Sequence, residues 1–161
     1  GVYVSQYAGI KLNAPSGLIY YTVDYDEKKE WIEEETNEMY AKILESQVYD
    51  ACFANAKEAI FVFFVNTNIL LPDVEDVTED QCLDYCREWI DGILDVEWQE
   101  RADVKLGNQE FSRDVCTYDE NSSDYYYMKK IDNDMMCWVY VTTSESDRTP
   151  EYYESLFEEI K

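Results

Sequence analysis

Between Ile60 and Val65 the chain reads Ile-Phe-Val-Phe-Phe-Val, apolar at every position. A strand with no polar face needs cover on both sides, so this run, within a strand over 59–66, predicts a central position between two layers. Its partner runs over 49–54, and the polar Asn55–Glu58 stretch joins the two as a hairpin. Upstream, Ile10 and Leu12 alternate with Lys11 and Asn13 before the Pro15-Ser16-Gly17 turn, and a second short strand spans 18–23. Apolar positions then change period. Ile32, Met39, Tyr40, Ile43 and Leu44 recur at helical spacing and predict one helix over 26–47, capped by Asp26, with Trp31 beside the stripe.

After an acidic loop over 70–78, Thr78 and Gln81 form a capping box that opens a second helix. Its inward stripe is Cys82, Leu83, Cys86, Trp89, Ile90 and Ile93. From Val96 the period becomes two again, with strands over 96–106, 109–118, 123–131 and 135–143 separated by short polar turns. Connections that short join only antiparallel neighbours, so a four-strand meander is expected. Thr149-Pro150-Glu151 opens a last helix, with Tyr152, Leu156, Phe157 and Ile160 as its apolar face. The order ββαββαββββα predicts an α+β fold, a mostly antiparallel β-sheet with helices packed on both faces, in a single domain over residues 1–161.

Composition narrows the function. Thirty-six acidic residues face thirteen basic ones, for a formal charge of −23, and histidine is absent. There is accordingly no His-based triad, no Cys–His nucleophile and no imidazole metal ligand. A charge of this sign repels nucleic acid and anionic lipid, so any partner should be a basic or neutral protein or small ligand. The five cysteines, Cys52, Cys82, Cys86, Cys116 and Cys137, include no zinc-type C-x₂-C pair. Cys82 and Cys86 sit on successive turns of one helix face, a poor geometry for a disulfide, and all five are read as free, mostly buried thiols.

Candidate chemistry is sparse. Asp119–Asp124 spaces oxygen ligands as calcium loops do, but Asp124 and Lys130 stand where an EF-hand needs glycine and glutamate, so the stretch reads as a turn. Asp73, Glu75, Asp76, Glu79 and Asp80 crowd a helix N-terminus, where acids stabilise the helix dipole. Fifteen tyrosines and four tryptophans are the remaining signal. Consecutive strand residues Tyr125-Tyr126-Tyr127 must put rings on both sheet faces; rings left in a groove stack on sugars or anchor a partner, while the others pack under helices.

Tyr7-Ala8-Gly9-Ile10-Lys11-Leu12-Asn13-Ala14-Pro15-Ser16-Gly17 resembles the strand and turn that open PsbP-like α/β/α sandwich domains. Val104-Lys105-Leu106-Gly107-Asn108-Gln109-Glu110-Phe111 resembles the hairpin that leads into their meander, and Tyr125–Lys130 and the closing 135–143 strand are similar in style. The resemblance implies a non-enzymatic, extracytoplasmic binding or adaptor domain, of the kind found in exported lipoproteins of Gram-positive bacteria, here monomeric and tethered through a lipid anchor upstream of Gly1. Photosynthetic members of the group assist photosystem II, and a eukaryotic relative of the fold binds a small GTPase. Alternatives are therefore a cytosolic protein-interaction domain or, from the abundance of carboxylates, a hydrolase. No catalytic, cofactor-binding or metal-ligating residue is assigned, and no cofactor is expected.

Overall fold

The all-apolar run lies in β5 (Glu58–Asn66), near the middle of the main sheet. The computed structural model describes residues 1–145 and 147–161. β5 is flanked by β4 (Gln47–Ala54) and β10 (Met135–Thr143). Beyond β4 lies β3 (Ile19–Tyr21), and beyond β10 follow β9 (Ser123–Lys130), β8 (Gln109–Thr117) and β6 (Glu97–Trp98). β7 (Ala102–Leu106) also pairs with β8, and every pairing is antiparallel. The meander expected of the last four strands is therefore present.

Register sorts the side chains into two cores. Ile60, Val62 and Phe64 lie opposite Val141, Val139 and Cys137 and join Tyr125 and Tyr127 on one face. Phe63 and Val65, opposite Trp138 and Met136, join Tyr126 and Met128 on the other. The Tyr125-Tyr126-Tyr127 triplet is thus split by the two-residue strand period, and all three rings are buried. Phe61 is the one residue of the run that stays only partly covered on the helical face.

The helical face is covered by α2 (Glu38–Ser46), α3 (Thr67–Leu70) and α4 (Glu79–Asp91). Cover on the opposite face is a three-stranded sheet of β1 (Val2–Ser5), β2 (Ile10–Asn13) and β11 (Phe157–Glu158), plus the short α5 (Pro150–Glu154). Ile10, Leu12, Tyr153 and Phe157 supply its contacts. The α+β class and the mostly antiparallel sheet agree with the sequence reading, and the element order follows it roughly: β1, α3 and β11 are additions, and on the second face α5 shares the cover with a small sheet.

Details differ for local reasons. The helix expected over 26–47 is two helices, α1 (Tyr25–Glu34) and α2. Glu35 turns extended, and Asn37 Oδ1 accepts from Tyr40 N at 3.0 Å to start α2. Asparagine competes with helical bonding and favours such caps. Asp24, rather than Asp26, caps α1, and no α1 residue is buried, so little packing holds the two pieces in line.

The strand over 96–106 is broken. Trp98 pairs with Cys116 and Ala102 with Arg113, so three residues face two, a bulge that re-aims Arg101. The final helix ends at Glu154, because the free edge of β2 takes Phe157 into a pairing with Leu12. Ile93 lies past the end of α4 and is exposed. At the Gly107-Asn108 turn φ of Gly107 is +64°, and a Cβ there would sit 2.5 Å from the Glu158 carbonyl oxygen.

Candidate functional site

Buried charge in this domain is tied into the fold. Asp114, 1% exposed, accepts from Arg87 Nε and Nη2 at 2.8 Å each and from Arg101 Nε and Nη2 at 2.9 Å each. Arg101 also reaches Asp84 at 2.8 Å and Asp80 at 3.2 Å on α4. Burial alone would raise the Asp114 carboxyl, but the hydrogen bonds and charges of the two guanidiniums outweigh it and hold it below its ordinary value. The network clamps α4 to β8.

Asp124 is the second buried carboxylate. Tyr140 donates to its Oδ2 at 3.0 Å, Tyr126 to the same oxygen at 3.4 Å, and Tyr118 to Oδ1 at 3.3 Å. Burial pushes its pKa up, and the hydroxyl donors offset this only in part. The thiols are equally inward. All five cysteines are free and buried. Burial raises Cys52 to about 11 and Cys82, Cys116 and Cys137 to about 12, so none is poised as a nucleophile.

Part of each acidic stretch serves the local fold. Asp119 Oδ1 accepts from Asn121 N at 2.8 Å and Ser122 N at 2.7 Å, which closes the hairpin turn between β8 and β9. Glu79 and Asp80 occupy the first turn of α4 behind the Thr78–Gln81 capping box. Among the described residues no group of three or more Asp, Glu or Cys is placed to hold a metal ion.

Side chains converge instead in an aromatic cleft of about 150 Å³ on the helical face. Seven of its nine lining residues are aromatic: Tyr40, Tyr49, Phe61, Phe63, Trp89, Trp138 and Tyr140; Ile43 and Gln47 complete it. The sheet wall follows from register, since Tyr49 faces Phe63, Phe63 faces Trp138 and Phe61 faces Tyr140. Ring centroids across it lie 4.6 Å (Tyr49–Phe63), 5.2 Å (Phe63–Trp138) and 5.7 Å (Phe61–Tyr140) apart. The helical wall is Tyr40 of α2 stacked on Trp89 of α4 at 5.0 Å and 10°. A hydrogen bond of 2.8 Å from Tyr85 to the Met39 carbonyl holds those two helices together.

At one end of the cleft Lys28 of α1 donates to the Gln47 carbonyl. The Trp138 indole N–H is buried without a hydrogen-bond partner among the described residues. No carboxylate, thiol or amine lines the cleft. What the lining offers is ring faces, three tyrosine hydroxyls and the Gln47 amide. A second concavity, about 190 Å³, lies along the sheet edge between 20–23 and 49–52, beside the exposed Ile19, Tyr20 and Tyr21. The excess of aromatics left a groove open beside packing under the helices, and the cleft's seven rings come from five elements that no local motif links.

Comparison with solved structures places the architecture. The solution structure of cyanobacterial PsbP (CyanoP) from Synechocystis sp. PCC 6803 matches 99% of this chain and 92% of its own, with a TM-score of 0.52 and 12% identity. The fold is PsbP-like. A crystal structure from Bacteroides thetaiotaomicron VPI-5482 aligns over 99% of this chain and 48% of its own, at 12% identity and a TM-score of 0.48. No family model matches the sequence, and no curated protein matches it. Among the described residues, no helix of this PsbP-like domain is long and apolar enough to cross a membrane.

Proposed function

We propose that this PsbP-like domain is a non-catalytic binding or adaptor module that takes a small ligand, or one side chain of a partner, in its aromatic cleft. The observation that carries the reading is the cleft lining: convergent rings, with no ionisable group able to move a proton near neutral pH. The buried carboxylates Asp114 and Asp124 serve the fold, Asp114 as the clamp between α4 and β8 and Asp124 as acceptor for three tyrosines. The partner is basic or neutral, because a charge of −23 repels anions.

The domain is further proposed to act outside the cytoplasm, carried on a lipoprotein, as its resemblance to exported PsbP-like domains suggests. Five free thiols are compatible with an oxidising compartment, because burial withholds them from exchange.

A ligand-observed NMR screen of small neutral and cationic molecules against the wild type and Trp89→Leu tests the binding role. Hits should weaken with the variant and be recovered unaltered; hits indifferent to Trp89, or converted, would overturn it. Labelled palmitate incorporated by the full-length gene product tests the anchor, and an unlabelled product in the soluble cytoplasmic fraction would overturn that placement.

A further inference from the structure

We infer that the cleft is built for the methylated ammonium head of an organic cation, an assignment that rests on the cleft being the binding site. Aromatic faces carry negative quadrupole potential, and tryptophan and tyrosine offer the strongest. Here the stacked Tyr40–Trp89 pair stands across from Tyr49, Phe61 and Tyr140. The domain around them carries a formal charge of −23, so its field adds to the attraction for a cation and opposes an anion.

The lining also selects among cations. A primary ammonium carries three N–H donors that need carboxylate or carbonyl partners; the cleft presents no carboxylate, and the Gln47 carbonyl at its end is already taken by Lys28. A head covered by methyl groups has no donor to satisfy and packs directly on rings. The size agrees: a cavity of roughly 150 Å³ holds about one benzene-sized group, so the head enters and the rest of the molecule stays outside.

One feature opposes the cation. Lys28 holds its ammonium on the Gln47 carbonyl at the end of the cleft, and burial already lowers its pKa. Its charge repels a bound cation and has no such effect on a neutral ligand. Removing Lys28 therefore distinguishes recognition of charge from apolar packing.

Free choline, a trimethyl-lysine side chain and a phosphatidylcholine headgroup share this chemistry. The test is tryptophan-fluorescence and calorimetric titration of the domain with choline and with dimethylbutanol, its isostere with carbon in place of the ammonium nitrogen. Choline should bind at least about tenfold more tightly than the isostere. Trp89→Leu and Tyr40→Leu, which keep apolar volume but remove a ring, should each weaken choline about five- to tenfold. Lys28→Gln should tighten choline and leave dimethylbutanol unchanged.

Equal affinity for the two isosteres would overturn the cation assignment and leave an apolar binding cleft standing. Binding of neither at 10 mM, roughly tenfold above the millimolar-or-better range set by a few ring contacts, would overturn both. Choline binding unaffected by Trp89→Leu would mean diffuse attraction to the acidic surface and would also sink the assignment. Trimethyl-lysine peptide and phosphatidylcholine vesicles, titrated in parallel, identify the source by which of them matches or exceeds free choline.

Discussion

Replacing Asp114 with alanine should cost this domain about 3 kcal/mol. The carboxylate is 1% exposed and accepts four hydrogen bonds from two guanidiniums. Removing one partner of a buried ion pair typically costs about 3–5 kcal/mol, because the charge left behind is uncompensated. The lower end applies here, since the Arg87 and Arg101 side chains are 29% and 22% exposed and can regain some water. For a chain of this length, about 3 kcal/mol lowers Tm by roughly 6–12 °C.

Urea denaturation followed by tryptophan fluorescence measures the loss directly, with the slope unchanged if only stability has altered. Arg87→Ala should cost about half as much, because Asp114 keeps both Arg101 bonds. The double variant should cost less than the sum of the two. The pH dependence has a defined sign. The Asp114 pKa is held below its unfolded value near 3.9, so the clamp acts fully above about pH 4 and is lost as pH falls through the lower folded value. A loss at pH 7 of less than about 1 kcal/mol, or one that persists unchanged at pH 2.5, roughly a unit and a half below that unfolded value, would refute the reasoning.

Asp124 should behave in the opposite sense: its pKa is raised by burial, so its ionisation costs stability as pH rises above about 4. Asp124→Asn should therefore look more favourable relative to wild type at pH 7 than at pH 4, in the same denaturation assay. Gly107→Ala should destabilise by at least about 2 kcal/mol, from the left-handed φ and the collision with the Glu158 carbonyl, and should loosen β11 in hydrogen exchange. Thiol titration should find no rapidly reacting cysteine in the native protein and five after unfolding without reductant. A native count of one or more would show that the buried thiols are accessible.

Much of this architecture was written in local pattern. The two-sided run at 60–65 required a covered central strand, and β5 is one. Short polar turns between 106 and 135 required antiparallel neighbours, and Thr78 with Gln81 marked the start of α4 at the right residue. What escaped depends on partners distant in sequence. β1 and β11 are strands only because β2 offers them edges. Phe157, read on the apolar face of the last helix with Tyr152 and Leu156, pairs with Leu12 instead. The break at Asn37 is a contest between a side-chain cap and a helix with no buried residue, which apolar spacing alone does not resolve. The cleft was the least legible feature. Tyr40, Tyr49, Phe61, Trp89 and Tyr140 meet only after two helices and three strands are assembled.

The claim that this domain works by binding in its aromatic cleft is tested most directly by the indole N–H resonances of its four tryptophans during a choline titration. Trp89 and Trp138 line the cleft, whereas the Trp98 indole is bonded to Asp91 at 2.8 Å and lies outside it. Saturable shifts of the Trp89 and Trp138 signals, with Trp98 unmoved and choline recovered intact, are the predicted result. Shifts spread evenly over all four indoles, or none with choline and none with dimethylbutanol at about 10 mM, would contradict it.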